Sequence, residues 1–497
     1  MNKMKYLLPV LFLLASFNNF GQTPIKFRKV IGNDGYENGY SAKQTLDSGY
    51  IVGGSTTSFG NGNNDMYLLK TDKFGVPTVQ NTFGGINVDV GKCVRQTTDK
   101  GYILVGYTNS YGAGGYDVYI VKTDSMLQTQ WTKTYGGSDW DFGNCIEQTT
   151  DKGYIICGST YSYGKGNSDY YLIKTDSLGD TIWTKTFGDS LEDVANSVIQ
   201  TTDGGYAITG TTKSMGDTLG DFYTIKTNAI GDTIWTNKFG GASLDYGNDI
   251  LESVSGSYIV CGETQSYGSG NSDAIIIKLT TNGSFMYLWT YGSVGPLATN
   301  YDVANSITED AEGKIAMVGA TQSFGFGGGH PDAYFSILKS DWSYYSASTF
   351  GGTGDDYGYS VEPTSDNCFI ICGYTNGFYQ RLNDIYLIKT DTLGYAGITG
   401  SETFFTTNIQ DNASLQNNVS IFPNPANDNL IVNLNQNKIH TQFNLSITDI
   451  LGQEIKRMTI ESTSILNIKT NELKDGMYFL TISDKVFVST NKIIVHH

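Results

Sequence analysis

Carboxylates recur along this chain in two phased series. The first is Glu37, Asp89, Asp141, Asp193, Asp245, Asp302 and Asp356, each two residues before a Gly or Ala. The second is Asp65, Asp117, Asp169, Asp221, Asp273, Asp332 and Asp384. Repeated acids of this kind are suited to three tasks. A ring of them can hold a divalent cation such as calcium, or a polar ligand. Two of them can flank a glycosidic bond as a catalytic pair, and Asp139, Asp141, Glu192, Asp193, Asp355 and Asp356 offer such pairs. Each can instead cap its own turn by accepting backbone N–H groups. Capping is favoured, because a fold requirement repeats in every unit whereas a site breaks the symmetry.

Other chemistry is poorly supplied. His330 is the one histidine among the repeats, which argues against a histidine metal cluster or a Ser-His-Asp triad there. Gly-x-Gly pieces such as Gly164-Lys165-Gly166 lack the strand-to-helix context of a phosphate loop. The calcium loop with alternating acids and a distal Glu is absent. Cys93 and Cys145 share one repeat position, and Cys157, Cys261 and Cys372 share another. Small buried hydrophobes explain that phasing. Cys145 and Cys157, on adjacent strands of one hairpin, are also in reach of a disulfide in an oxidising compartment. No catalytic residue and no cofactor is assigned.

The elements that position these residues form an internal repeat. Tyr50, Tyr102, Tyr154, Tyr206, Tyr258, Ile315 and Phe369 each open a short apolar strand, and a Gly follows each by four residues. Each unit reads as four strands: in the third, Asn144 to Thr149, Tyr154 to Gly158, Tyr170 to Lys174 and Thr181 to Phe187. Asp151-Lys152-Gly153 and Leu178-Gly179-Asp180 punctuate them as hairpin turns. No segment keeps a 3.6-residue apolar period. After Ile385 to Lys389 the seventh unit lacks its last strand, and Phe27 to Gly32 supplies a match at the other end of the chain. The expected fold is all-β: a seven-bladed β-propeller over residues 22–397, with four-stranded blades and the N-terminal strand closing the last blade. A β-solenoid would need no such exchange of ends. In a propeller the first carboxylate series would form an axial ring near one mouth of the channel.

The Gly-rich loops emerge on one face, rich in Tyr, Asn, Ser and Asp, which suits sugar or peptide recognition. Tyr163 and Tyr267 represent that face. The sixth unit departs most, with an expanded loop from Phe324 to Pro331 and inserted residues at Gly295 to Ala298. Broken symmetry makes Phe324, Phe326, His330 and Asp332 candidate ligand contacts. A net charge of −17 repels a phosphate backbone and excludes nucleic acid as a partner.

Residues 1–21 read as a signal peptide: Lys3 and Lys5 precede an apolar Tyr6 to Phe17. No later stretch has the length of a transmembrane helix. Residues 398–417, rich in Thr, Asn, Ser and Gln, read as a linker. Residues 418–497 read as a small C-terminal β-sandwich. It carries Pro423-Asn424-Pro425 after a strand, a turn from Asp449 to Gly452, Gly476-Met477-Tyr478, and a terminal Lys492-Ile493-Ile494-Val495. In that order these pieces resemble the type A C-terminal sorting domain of the type IX secretion system. The resemblance implies export through that machinery to the outer-membrane surface or medium, with attachment to surface lipopolysaccharide as one outcome. The chain ends in His496-His497, a departure from the family pattern. The expectation for the propeller is a non-catalytic binding or adhesion module for a glycan or protein ligand. A secreted polysaccharide hydrolase using a carboxylate pair and a structural surface-layer protein are the alternatives.

Overall fold

The computed structural model describes residues 24–497 except 216–217, 270, 293–299, 326–328, 379–381, 398–401, 407–418, 423–425, 428, 435–441, 450–453, 462–464 and 484–487. The signal-peptide segment, the insertion at 295–298, Phe326, Pro423-Asn424-Pro425 and Gly452 lie outside the described residues.

Among the described residues every regular element is a strand. In the repeat region six antiparallel sheets have four strands each, in sequence order. The third sheet runs Asp141–Gln148, Tyr154–Thr160, Asp169–Thr175 and Thr181–Phe187. The first three start earlier or end later than the apolar pattern predicts, because each is extended by a buried polar residue (Asp141, Thr160, Asp169), and the fourth has the predicted bounds. Burial grades across the sheet. The second and third strands are buried throughout, whereas the fourth alternates exposed and half-buried positions. The continuous apolar run Ile155-Ile156-Cys157 reflects cover on both faces.

The turns follow from side-chain chemistry. Asp151 Oδ1 accepts the Thr149 hydroxyl at 2.5 Å and the Gly153 N–H at 2.9 Å. Lys174, at the end of the third strand, lies buried with its amine 2.9 Å from Asp151 Oδ2. The same latch recurs as Lys122–Asp99, Lys226–Asp203 and Lys389–Asp366.

The seventh sheet has five strands. Asp356–Pro363, Phe369–Thr375 and Asp384–Lys389 are followed by Phe27–Gly32, antiparallel with Phe27 opposite Lys389. This is the strand that sequence reading places there. Thr403–Thr406 then adds in parallel to the outer edge of Phe27–Gly32. It lies within the stretch expected as a linker. Arg28 and Glu402 fix it: both side chains are buried, and Arg28 Nη1 is 3.1 Å from Glu402 Oε1.

Neighbouring sheets are stitched by side chains on their first strands. Gln96, Gln148 and Gln200 each accept a backbone N–H from the preceding sheet's first turn (Leu46, Thr98, Thr150) at 2.8–2.9 Å. Ser365 of the last sheet donates its N–H to Gln44 of the first at 2.8 Å, and Glu37–Gln44 packs against Asp356–Pro363 and Phe369–Thr375.

All six cysteines are free and buried. Cys145 faces Cys157 across its hairpin, but its sulfur lies 3.7 Å from Cys93 in the adjacent sheet. The disulfide held open above is therefore not formed.

The C-terminal residues build two further sheets. One orders Val419–Phe422, Asn429–Leu434 and Ile465–Lys469; the other orders Glu454–Glu461, Gln442–Asp449, Gly476–Ser483 and Val488–Val495. Leu430, Val432, Leu445, Ile447, Leu480, Ile482 and Ile493 form a shared core. Asp449 ends one strand opposite Tyr478, whose hydroxyl donates to Lys474 O at 2.9 Å. Gly476 opens the next strand, and Lys492 pairs with Phe479 on the last one. His496 and His497 close on Asp475, each at 2.9 Å. No helix among the described residues is long and apolar enough to cross a membrane.

Candidate functional site

The first carboxylate series is buried. Asp89 accepts the Thr108 hydroxyl, the Ser110 hydroxyl at 2.6 Å and the Gly85 N–H at 2.8 Å. Ser162, Ser214 and Ser266 serve Asp141, Asp193 and Asp245 in the same way at 2.6–2.7 Å, and Ser323 serves Asp302. Glu37 accepts Thr56 Oγ1 and Asn33 N–H, both at 2.8 Å. These acids tie the loops of one sheet together. The second series does the same for the next loop. Gly112 and Gly164, at φ 108° and 105°, turn the chain so that the N–H groups of Ala113 and Lys165 reach Asp117 and Asp169 at 2.9 and 2.8 Å.

Asp356 is the exception. Gly377 stands where five other sheets carry the donating serine. Asp356 accepts the Gly352 N–H at 2.8 Å, and that bond and Thr375 favour its charged form. Burial pushes its pKa up to about 7, and the charges of Asp332 and Asp355 add to the rise. An unfolded Asp titrates near 3.9. The native state therefore holds a proton that the unfolded chain releases between about pH 4 and pH 7. This group's contribution is fully present below about pH 4 and is lost as pH rises through about 7. Asp356→Asn should remove that slope. Between pH 4 and pH 8, chemical denaturation should move in the variant's favour by roughly 3–5 kcal/mol; parallel curves would disprove it.

A different residue of each first strand lines a shared cavity, three positions beyond each carboxylate. Each first strand has a β-bulge there, with register shifts such as Gly143/Cys145 and Ala195/Ser197. A bulge turns one extra side chain out of the ladder. The positions are Tyr40, Lys92, Asn144, Asn196, Asn248, Asn305 and Tyr359, and all line one cavity of about 120 Å³. Asn144, Asn196, Asn248 and Asn305 each donate Nδ2 to a carbonyl of the next sheet (Ala195, Gly247, Ala304, Gly358) at 2.8–3.0 Å.

The following position joins sheet to sheet. Ala42 N–H donates to Ser360, and Val94 N–H to Ser41, both at 3.3 Å. Cys93 and Cys145 thiols point to Ile146 O and Val198 O at 3.7 Å. Asp249 accepts Ser197 at 2.7 Å and Ser306 and Ile307 N–H at 3.0 Å; burial raises its pKa.

Two aromatic side chains, Tyr40 and Tyr359, line this cavity, and a cluster of further rings reaches it through Lys92. Phe142 lies 5.0 Å from Tyr107 and 5.5 Å from Tyr116, with Trp140 6.1 Å from both Tyr116 and Tyr161. Trp140 is 50% exposed. Gly115 permits its approach, since a Cβ there would meet Trp140 Cδ1 at 2.0 Å. A second group joins Tyr40 to Tyr359 at 5.3 Å and Tyr357 to Tyr374 at 5.2 Å. Lys92 bridges the groups, its amine 4.1 Å from the Tyr40 ring centroid and 6.0 Å from that of Tyr107. Nearby, Glu263 accepts Ser272 Oγ at 2.7 Å and the Tyr301 hydroxyl at 3.2 Å, and burial raises its pKa.

The candidates from the sixth unit do not join this arc. Phe324 packs 5.9 Å from Tyr334, His330 pairs with Asp355 at 2.8 Å on the exposed surface, and Asp332 is buried at the start of a strand. Tyr163 and Tyr267 donate their hydroxyls to Gly136 O and Gly240 O at 2.8 Å, as Tyr111 does to Gly84 O. Of the carboxylates considered as a pair, Glu192 is bonded to Lys213 at 2.6 Å and Asp355 to His330. Among the described residues no group of three His, Cys, Asp or Glu stands in a metal-binding arrangement.

Residues 420–496 match the secretion system C-terminal sorting domain, and residues 255–285 match a β-propeller domain of unknown function (DUF5122). The protein is thus a secreted propeller carrying a type IX sorting domain, and its destination is the outer-membrane surface or the medium. An endo-acting ulvan lyase of Formosa agariphila is 25% identical over 127 residues, spanning 22% of this chain and only 24% of that protein. PorZ, a surface component of the type IX system of Porphyromonas gingivalis, aligns at 12% identity over 96% of this chain and 61% of its own, with a TM-score of 0.41. An endo-arabinase of Bacteroides thetaiotaomicron aligns at 11% identity over 63% and 95%, with a TM-score of 0.31.

Proposed function

We propose that the seven sheets close into one seven-bladed propeller spanning residues 22–397, with the sorting domain at 418–497. The bonds from Ala42 to Ser360 and from Ser365 to Gln44, which link first and last sheets, support closure. At the cell surface this propeller acts as a non-catalytic module that binds a glycan. One observation carries that reading: an arc of aromatic rings running from half-exposed Trp140 through Phe142 and Tyr107 to a polar cavity. Sugar rings stack their C–H faces on such surfaces while convergent polar groups fix orientation.

A glycan array probed with the mature protein tests it. Trp140→Ala should weaken binding about tenfold, close to 1.4 kcal/mol, with Tm unchanged. Full retention of binding would sink the assignment of this surface. A second reading, cleavage of a polysaccharide, draws on Glu263. Burial shifts the Glu263 carboxyl upward, the direction a general acid requires, and the likeness to an ulvan lyase is compatible with it. Turnover of a bound glycan that disappears in Glu263→Gln would favour that reading.

A further inference from the structure

We infer that the cavity takes the acidic ring of an anionic saccharide, with its carboxylate at Lys92 and its hydroxyls on the asparagines. This deepens the glycan-binding reading and rests on it. The charges around the cavity set the argument. Arg95 is paired with Glu147 at 2.5 Å, and Glu362 with Lys43 at 2.5 Å. Asp249 holds four donors. Lys92 has no ion pair among the described residues; its amine rests on the Tyr40 ring. A partly desolvated amine without a counterion is costly, and a ligand anion restores what burial removed. The depressed pKa of Lys92, about 8 and caused by burial, agrees with that cost.

The asparagines of the same lining offer the complementary chemistry. Asn144, Asn196, Asn248 and Asn305 have their Nδ2 groups engaged, and none of their Oδ1 atoms accepts a hydrogen bond among the described residues. Amide oxygens accept, so they select hydroxyl donors and reject a second anion. At about 120 Å³ the cavity is smaller than the roughly 300–1,000 Å³ of drug-sized sites. It takes one group, while the aromatic arc carries the rest of the chain. The net charge of −17 does not forbid this, because at physiological salt charges beyond about 8 Å are screened.

The test uses the mature protein with a glucuronate-containing tetrasaccharide and its neutral glucose counterpart, by calorimetry at pH 6.5. The acidic ligand should bind about tenfold or more tightly than the neutral one. Lys92→Met should abolish the difference with a Tm no lower than the native protein's, since the desolvated charge is gone, and Lys92→Arg should keep most of it. The amine resonance of reductively methylated Lys92 should titrate higher when the acidic ligand is bound. Equal affinities in the native protein, or a preference that survives Lys92→Met, overturns the inference while leaving Trp140-dependent glycan binding in place. No binding of either ligand overturns both readings.

Discussion

Removal of residues 418–497 is expected to leave the protein in the periplasm. The removed stretch contains the whole of 420–496, which matches the sorting domain, and its two sheets share one core in which Leu430, Val432, Leu445, Ile447 and Leu480 are fully buried. The sheets of the repeat region draw nothing from that core, so the truncated protein should fold and be soluble. Protease shaving of whole cells and fractionation read the outcome directly. Most of the wild type should be protease-accessible or in the medium, and most of the truncated protein should be neither. Leu480→Asp supplies a finer version. A charge at a fully buried position costs several kcal/mol, enough to unfold a domain of about 80 residues, and should reproduce the deletion. Normal delivery of either variant contradicts the role of this domain.

The sequence made the strands legible because a 52-residue spacing repeats the same turn chemistry at each hairpin. Asp151 and Gly153 announce their turn, and the run Ile155-Ile156-Cys157 announces a covered strand. Exchange of the terminal strand was legible for the same reason, since Phe27–Gly32 carries the pattern missing after Lys389. The cavity was not. Strand parity assigns faces two residues at a time, and a one-residue bulge reverses the assignment. Counting from Asp141 therefore misses Asn144, although Asn144, Asn196, Asn248 and Asn305 recur in phase and the breaks at Tyr40, Lys92 and Tyr359 were visible. The aromatic arc gave still less signal. Tyr107, Tyr116, Trp140 and Phe142 come from a strand end, two loops and a neighbouring sheet, with no common spacing. Phased acids drew attention because they repeat, yet their buried bonds to Thr and Ser show why they repeat.

Arg28→Ala should be the most damaging single substitution on the N-terminal strand. Arg28 lies on the strand of the last sheet that runs between Asp384–Lys389 and Thr403–Thr406. Its guanidinium bonds Glu402 Oε1 and Gly397 O, both at 3.1 Å, and lies 4.9 Å from the Phe350 ring centroid. Glu402 is 2% exposed at its side chain. Truncating one partner of a buried pair leaves the other charge desolvated, a loss of about 3–5 kcal/mol. For a propeller of this size that lowers Tm by on the order of 5 °C, measurable by calorimetry on the mature protein. Arg28→Met combined with Glu402→Leu should recover most of the loss, because two apolar side chains can replace a buried ion pair at little cost. The two arms separate charge from topology. Recovery in the double variant assigns the loss to the stranded carboxylate. An equal loss in both assigns it to the packing that holds Phe27–Gly32 in the last sheet. An unchanged Tm in Arg28→Ala would show that the buried pair of Arg28 and Glu402 does not stabilise the last sheet.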